Sequence, residues 1–243
     1  MGSSPSNTAN TTEEKVVSNG VNHTAPIATK ALAVDSASSP FKVFDFERRV
    51  PKADDVFIRI HYCVPKNLPL DAAAPLLCAG ITTYSPLRQH NVGKNTYMGV
   101  IGLGHMAVKF GVAMGAHVTV ISTSESKRDD ATKLGAKAFL VSKDAEQLKE
   151  AENSFDFIID TVSAQHDVAA MINLLAFQGV YCMVGAPPKP AEIPSFVLLF
   201  KRPIITGSLI GSMKETQEML DFCGKHEITC EIERTSDKRK KST

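Results

Sequence analysis

A glycine-rich turn carries the clearest chemical signal in this 243-residue sequence: Gly102-Leu103-Gly104-His105-Met106-Ala107 follows an apolar run and opens a helical pattern. The order Gly-x-Gly-x-x-Ala is typical of a strand-to-helix turn that holds a pyrophosphate. The glycines permit a tight turn close to phosphate oxygens, while free amides and the helix dipole attract the anion. The pattern predicts phosphate binding by residues 102–105, and a turn that binds nothing is the alternative.

Hydroxyl and cationic side chains follow the next predicted strand, about 20 residues further on, where dinucleotide-binding folds contact the adenosine ribose. A 2′-phosphate needs donors and positive charge there, whereas a carboxylate would repel it. The sequence therefore predicts NADP(H) as the cofactor. The candidate contacts are Ser122, Thr123, Ser124 and Lys127. Glu125 weakens this preference over NAD, and the alternative is that Ser124 caps the next helix while Lys127 and Arg128 form a solvated face.

Three further loops follow predicted strands and contain small residues with accessible amides. They are Asp160-Thr161-Val162, Val184-Gly185-Ala186 and Gly207-Ser208-Leu209-Ile210-Gly211. Ligands of open α/β sheets lie in the crevice at the carboxyl ends of the strands. These loops are therefore candidates to contact the nicotinamide ribose and carboxamide, with ordinary loops as the alternative.

Strand-length apolar runs alternate with helical periods after residue 75, which predicts an α/β fold, a doubly wound parallel Rossmann sheet. The predicted strands are Tyr97–Ile101, His117–Ser122, Ala138–Val141, Phe155–Asp160, Val180–Gly185 and Ile204–Ser208. Helical spacing joins Ala107, Phe110, Gly111 and Met114, and likewise Val168, Met171, Ile172 and Leu175. A capping box formed by Ser212 and Glu215 predicts a last helix that ends near Gly224.

The remaining segments set the expected domain boundaries. Residues 1–28 are rich in Ser, Asn and Thr and offer little apolar surface, so a disordered tail is predicted. Residues 29–67 are expected to hold about three strands and a Pro-containing linker, most clearly where Val56–Tyr62 alternates. Residues 68–232 form the predicted NADP-binding domain. Residues 233–243, with consecutive cations at 238–241, are predicted to be a solvated basic tail.

The composition excludes several classes of protein. Lysine and arginine total 27 against 26 aspartates and glutamates, and this net charge of +1 disfavours a nucleic-acid-binding protein. No apolar run approaches the ~20 residues of a membrane span. No secretory signal is visible, and five cysteines without a C-x-x-C pair argue against a disulfide framework. We expect reduced thiols and a cytoplasmic protein without nucleic-acid or membrane partners.

The sequence resembles the cinnamyl alcohol dehydrogenase branch of the zinc-containing medium-chain alcohol dehydrogenases, from about Lys30 to Ile232. Besides the glycine turn, the resemblance lies in residues 74–82, 117–124, 159–163 and 211–219. It implies a GroES-like catalytic domain, a Rossmann domain, and reduction of aldehydes to alcohols with NADPH and a catalytic zinc. It also implies a homodimer through the edge strand near Pro203–Ser208.

The resemblance assigns roles to individual residues. It implies that Gly102, Leu103 and Gly104 lie at the pyrophosphate, and that Ser122, Thr123 and Lys127 lie at the 2′-phosphate. The nicotinamide half of the cofactor would be lined by Thr161, Gly185, Ser208 and Ile210. Among the positions that resemble zinc ligands, Cys78 alone is present.

Departures from the family pattern bear on the chemistry. Tyr62-Cys63 continues into Val64-Pro65 where the family has Gly-x-Cys-His, and the Gly-His-Glu motif and four-cysteine cluster are missing. Catalytic zinc needs three protein ligands, so we expect none to be bound. The alternative for Cys78 is a buried apolar cysteine. The family turn, Gly-Leu-Gly-Gly-Leu-Gly-His, is shortened here by three residues, so either Ala107 serves as the third small residue or the amides are misaimed.

Three functions follow from these expectations. The first is an NADP(H)-dependent alcohol dehydrogenase or aldehyde reductase of the cinnamyl alcohol dehydrogenase type, a truncated form that is impaired or inactive because zinc ligands are missing. Its substrate would be a small aldehyde or alcohol. The second is a catalytically silent isoform that binds nucleotide and dimerises. The third is a zinc-independent reductase in which NADPH reduces an activated iminium or conjugated carbonyl.

Overall fold

The computed structural model describes residues 27–33, 42–48 and 63–232, which fall into two separate units. In the first unit, β1 (Ile27–Ala33) pairs antiparallel with β2 (Lys42–Arg48), in a register that places Ile27 opposite Arg48 and Ala33 opposite Lys42. Ile27 and Ala28, predicted to end the disordered tail, thus lie in a strand. The predictions for the rest of the tail, the strand at 56–62 and residues 233–243 lie outside the described residues.

The second unit is a six-stranded parallel sheet with helices between its strands. Its strands are β3 (Tyr97–Ile101), β4 (His117–Ser122), β5 (Ala138–Val141), β6 (Phe155–Asp160), β7 (Leu175–Met183) and β8 (Ile204–Gly207). The strand order β5-β4-β3-β6-β7-β8 reverses direction between β3 and β6. This is the doubly wound Rossmann order, and its ligand crevice lies where the order reverses. The predicted α/β class is confirmed.

Helices precede, connect and follow the strands of this sheet. They are α1 (Leu70–Ala73), α2 (Ala79–Gln89), α3 (His105–Ala113), α4 (Arg128–Lys133), α5 (Ala145–Glu150), α6 (Val168–Asn173), α7 (Ser195–Lys201) and α8 (Met213–His226). No helix in the described part of the chain is long and apolar enough to cross a bilayer.

Two apolar clusters cover the opposite faces of the sheet, because successive strand residues point to opposite sides. Val100 and Val120 belong to the cluster that includes residues of α2, α3 and α8. Ile101 and Ile121, the next residue of each strand, belong to the cluster that includes α6. Strands β3 and β4 are therefore buried on both faces, which explains their continuous apolar sequences.

Most predicted boundaries agree with the structure, and the differences have local causes. Strands β3 to β6 have the predicted bounds, whereas β7 begins five residues earlier than predicted, at Leu175. Leu175 is therefore a strand residue paired with Phe155, and not part of the helical stripe as predicted. The predicted capping box is present, but α8 continues past Gly224 to His226 and ends where Glu227 adopts a left-handed conformation with φ of 55°.

Candidate functional site

The glycine corner, residues 102–105, joins β3 to α3 as the sequence predicts. Gly102 has φ of +82°, a conformation that L side chains rarely adopt, and its N–H donates to the Ile121 carbonyl at 2.9 Å. Helix α3 begins at His105, and no side chain of the described residues caps it. Because the first turn of a helix leaves its N–H groups without intrahelical partners, the corner presents free donors at the carboxyl edge of the sheet.

Both glycines are required by a close approach of the β6–α6 loop. A Cβ on Gly104 would lie 2.6 Å from Thr161 Cγ2, and one on Gly102 would lie 2.9 Å from Thr161 Oγ1. Ala107 is fully buried in the first turn of α3.

A buried carboxylate fixes the loop that packs on this corner. Asp160 is 1% exposed, and its side chain accepts hydrogen bonds from the Val162 N–H at 3.0 Å and the Tyr181 hydroxyl at 2.9 Å. His166 Nε2 lies 3.0 Å from Asp160 Oδ2 but is not aligned for a hydrogen bond. Burial, and then the charge of Asp160, raise the pKa of Tyr181, so this phenol stays a donor.

Thr161 follows this carboxylate and is itself anchored, since its hydroxyl donates to the Ile101 carbonyl at 2.7 Å. Gly185 completes the packing: a Cβ there would lie 2.3 Å from the Val162 carbonyl oxygen. Two of the three loops predicted from sequence, residues 160–162 and 184–186, therefore pack on each other beside the glycine corner.

Cavity A, of about 490 Å³, lies on one side of the corner. Residues of its lining include Gly102, Ser122, Thr123, Ser142, Lys143 and His166. The structure thus brings the glycine corner and the first two predicted 2′-phosphate contacts to one cavity. Ser124 and Lys127 are exposed just beyond it.

The alternative drawn from sequence for the segment after β4 is wrong in one part, the Ser124 cap, while Lys127 and Arg128 are exposed, as that alternative expects. Ser124 precedes a 3-10 turn (Glu125–Lys127), but its side chain makes no capping hydrogen bond. Arg128 is hydrogen-bonded to Glu125, and this contact lowers the pKa of the Glu125 carboxyl. Within the part of the chain that the structure describes, Lys127 has no ion-pair partner, so its charge is free to meet an anion.

Cavity B, of about 300 Å³, lies on the other side of the corner. Residues of its lining include Cys78, Thr82, Gly104, His105, Thr161, Val184 and Leu209. Burial, and then the charge of Lys109, lower the pKa of His105, which is therefore neutral near pH 7. A ligand that crosses the glycine corner would reach both cavities.

Of the predicted nicotinamide contacts, Thr161 lines cavity B, whereas Gly185, Ser208 and Ile210 line neither cavity A nor cavity B. Ser208 donates its N–H to the Met183 carbonyl at 3.0 Å, and Ile210 donates its N–H to Thr82 Oγ1 at 3.1 Å. Leu103 lines neither cavity and instead faces a third one, of about 600 Å³, with Lys109 and Lys133.

Comparison with known proteins decides the family. The family model described as zinc-binding dehydrogenase matches residues 102–225. The chain belongs to this family. It is 56% identical over 186 residues to cinnamyl alcohol dehydrogenase 7 of Arabidopsis thaliana, covering 74% of this chain and 51% of that protein. It is also 55% identical over 188 residues to mannitol dehydrogenase of Petroselinum crispum, covering 74% and 56% respectively.

Solved structures of this family share the fold. A cinnamyl alcohol dehydrogenase from Sorghum bicolor matches with a TM-score of 0.69 and 50% identity, over 70% of this chain and 50% of that one. CAD from Helicobacter pylori complexed with NADP(H) matches with a TM-score of 0.64 and 44% identity, over 71% and 50%. The chain spans about half the length of these relatives, and the resemblance predicted from sequence is confirmed.

The family name implies zinc, and the described residues do not fit it. No group of three or more His, Cys, Asp or Glu side chains that could hold a metal occurs among residues 27–33, 42–48 and 63–232. Cys78 is exposed on the wall of cavity B, so the alternative of a buried apolar cysteine is wrong. One thiolate does not make a catalytic zinc site, which needs three protein ligands. We therefore derive no step through zinc.

Sequence reasoning missed several features that shape this site. Asp160 is the predicted end of β6, but neither its burial nor the hydrogen bonds that it accepts from Val162 and Tyr181 were predicted. A signal was available, because a carboxylate at the end of an apolar strand must be paired if it is buried. Thr82 was missed for another reason: its partner Ile210 lies 128 positions away.

Proposed function

We propose that residues 63–232 bind NADP(H) across the glycine corner, with the pyrophosphate on the free amides of the first turn of α3. One observation carries this proposal: the corner lies between cavity A and cavity B, so an extended dinucleotide fits with one half on each side. The positive end of the α3 dipole adds attraction for the pyrophosphate charge. Thr161 packs on Gly102 and Gly104 and thereby fixes the backbone of the corner.

The 2′-phosphate is bound at the end of β4 in this proposal. Ser122, Thr123 and Ser124 supply hydroxyl donors, and Lys127 supplies positive charge. The pairing of Arg128 with Glu125 supports the choice of NADP(H) over NAD, since it compensates a carboxylate close to Ser124 that would repel the phosphate. The relative from Helicobacter pylori is complexed with NADP(H), which agrees with this assignment.

The reaction we propose is that of the cinnamyl alcohol dehydrogenase relatives, the interconversion of an aldehyde and an alcohol. The nicotinamide supplies or accepts the hydride when the cofactor is bound. Thr161, Gly185, Ser208 and Ile210 would surround that half of the cofactor at cavity B. Since the described residues include no group of three or more side chains that could hold a metal to polarise a carbonyl, we propose that this chain reduces aldehydes slowly or not at all.

A second candidate is a nucleotide-binding, dimerising protein without aldehyde turnover. The observation that favours it is the apolar edge of the sheet: β8 pairs with β7 alone among the described strands, and Ile204 is 51% exposed. Phe196 and Phe200 of α7 are also exposed, at 70% and 77%. An open strand edge beside apolar side chains is a surface that another copy of the chain can cover.

Fluorescence titration tests the function. We expect NADPH to bind. We also expect 2′,5′-ADP to compete with it, because this ligand would occupy the half of the cofactor site at cavity A. Zinc content and cinnamaldehyde reduction are measured on the same sample. Binding without zinc and without turnover supports the second candidate, unless an iminium substrate is reduced, which would support a zinc-independent reductase. One zinc per chain together with rapid turnover would show that the proposed loss of aldehyde reduction is wrong. Failure to bind NADPH would overturn the proposal that residues 63–232 bind this cofactor.

A further inference from the structure

Ser126 carries an exposed hydroxyl just after β4, and the proposed function does not use it. Its Oγ lies 2.8 Å from Ser124 Oγ, so the two hydroxyls share a hydrogen bond. Every residue from Thr123 to Asp130 is exposed, which makes the whole segment accessible to a modifying enzyme. Serine hydroxyls in such segments can accept a phosphoryl group. A phosphate on Ser126 would lie beside Ser124.

The charges around Ser126 favour an added phosphate. Arg128 is hydrogen-bonded to Glu125, so the charges of these two side chains compensate each other. Lys127 is exposed and has no ion-pair partner in the part of the chain that the structure describes. A phosphoserine carries a charge of about −2 at pH 7 and pairs readily with a nearby cation. A phosphate on Ser126 would therefore pair with Lys127.

The proposed site for the 2′-phosphate of NADP(H), on which this inference rests, uses the same groups. In that proposal Ser124 supplies a hydrogen-bond donor and Lys127 supplies positive charge. A phosphate on Ser126 would take both groups, and its negative charge would repel a second phosphate. Because NAD(H) has no 2′-phosphate, the modification should weaken the binding of NADP(H) alone.

The residues after Ser126 indicate the class of enzyme that would modify it. Asp129 and Asp130 stand three and four positions after the serine, and both are exposed. Protein kinases select substrates by charge pattern, and these carboxylates suit a kinase with a basic substrate groove. In this step Ser126 Oγ forms a bond to the γ-phosphorus of ATP, the bond from that phosphorus to the ADP oxygen breaks, and the hydroxyl proton passes to a base of the kinase.

We propose that Ser126 is a phosphorylation site for an acid-directed serine kinase, and that the phosphate on it excludes the 2′-phosphate of NADP(H). The modification is thus a switch that acts on the choice of cofactor and not on the glycine corner. Since bound NADP(H) would occupy Ser124 and Lys127 in turn, it should protect Ser126 from the kinase.

Labelling by a kinase and titration with two dinucleotides test this proposal. Casein kinase 2 with ATP should phosphorylate Ser126 in the wild-type chain, as located by mass spectrometry. Saturating NADPH should slow this labelling, whereas NADH at the same occupancy should not. The phosphorylated wild type should bind NADPH at least ten-fold more weakly than identically treated Ser126→Ala, which accounts for phosphate at other sites. The Kd for NADH should be the same for both.

Charge variants separate this effect from a general loss of binding. Ser126→Glu adds one negative charge and should weaken NADPH binding about three-fold without changing the Kd for NADH. In a Lys127→Gln background the effect of Ser126→Glu should shrink, because both residues act on the same phosphate. Ser154→Glu is the matched control: this exposed serine precedes β6 at the opposite edge of the sheet, and its substitution should change neither Kd.

The outcomes distinguish the two proposals. Absence of phosphate at Ser126 after kinase treatment, an unchanged Kd for NADPH after labelling, or equal losses for NADPH and NADH would overturn the inference. If the wild type still binds NADPH in those cases, the proposed function stands and the inference alone fails. Binding of neither dinucleotide by the wild type overturns both proposals.

Discussion

The two turns that border cavity B are built in opposite ways. The glycine corner follows β3, whose residues 98–101 are buried, and its glycines adopt the required backbone without strain. The β8–α8 turn follows an exposed edge strand and includes Ile210, a β-branched residue at positive φ. The Ile210 N–H donates a hydrogen bond to Thr82 of α2, which holds the turn in place. A turn encoded by its own residues tolerates changes elsewhere, whereas a turn held by tertiary contacts fails when one contact is lost.

The largest effect expected on the glycine-corner side comes from the carboxylate beneath it. Asp160→Ala leaves the buried Tyr181 hydroxyl and the partly buried Val162 N–H without an acceptor, and should lower the free energy of unfolding by about 3 kcal/mol. Chemical denaturation measures this. Asp156→Ala is the matched control on the same strand, since that carboxylate is exposed and should cost less than about 1 kcal/mol. Similar losses for both variants would show that Asp160 is no more than an ordinary strand residue.

How far sequence alone predicts the molecule depends on whether the determining residues are neighbours in the chain. The corner was predictable because Gly102, Gly104 and Ala107 stand within six positions, and the start of α8 because Ser212 and Glu215 form a local box. The Asp160–Tyr181 pair joins residues 21 positions apart, and its geometry depends on the register of β6 and β7.

No local preference predicts Ile210 at positive φ, because its own side chain disfavours that conformation. The exposure of Cys78 was likewise unpredictable, since it depends on how the start of α2 sits at the rim of cavity B. The same limit applies to Leu175, where pairing with Phe155 overrides the helical spacing.

A methyl group added to the glycine corner should have the next largest effect, which is a loss of affinity for NADPH. Gly104→Ala places a Cβ 2.6 Å from Thr161 Cγ2, and displacing that loop should cost about 2 kcal/mol, or roughly thirty-fold in NADPH affinity. Thr161→Ser removes Cγ2 but keeps the hydroxyl, so it should restore part of the affinity in the double variant. Gly93→Ala is the matched control, because its nearest contact would be an ordinary 3.6 Å. Full affinity in Gly104→Ala would contradict the proposed path of the pyrophosphate.

Lowering the pH should reduce the stability contributed by the capping box at the start of α8. Hydrogen bonds from the Ser212 backbone, and then from Ser85, lower the pKa of Glu215 below its ordinary value of 4.5. A carboxyl with a lowered folded pKa stabilises the fold fully above its unfolded pKa, and this stability is lost as the pH falls through the folded pKa. Glu215→Gln should therefore lose about 1 kcal/mol at pH 7 and flatten the decline of stability below about pH 4.5. Melting temperatures between pH 3 and pH 7 measure this, with Glu150→Gln on α5 as the control, and an unchanged pH profile would show that the capping box contributes nothing.

The smallest effect on folding stability is expected for a substitution on the edge strand β8, although that substitution should have a large effect on dimerisation. Ile204 is exposed on β8, and a lysine there costs little in the monomer but places charge in a shared strand edge. Ile204→Lys should convert a dimer into a monomer while changing the free energy of unfolding by less than about 0.5 kcal/mol, measured by light scattering and dilute-solution denaturation. Ala138→Lys adds the same charge to the opposite edge strand, β5, and should leave the dimer intact. A monomeric wild-type chain, or a dimer that survives Ile204→Lys, would show that this edge is not the interface. The exposed apolar side chains of α7 would then need another explanation than a second copy of the chain.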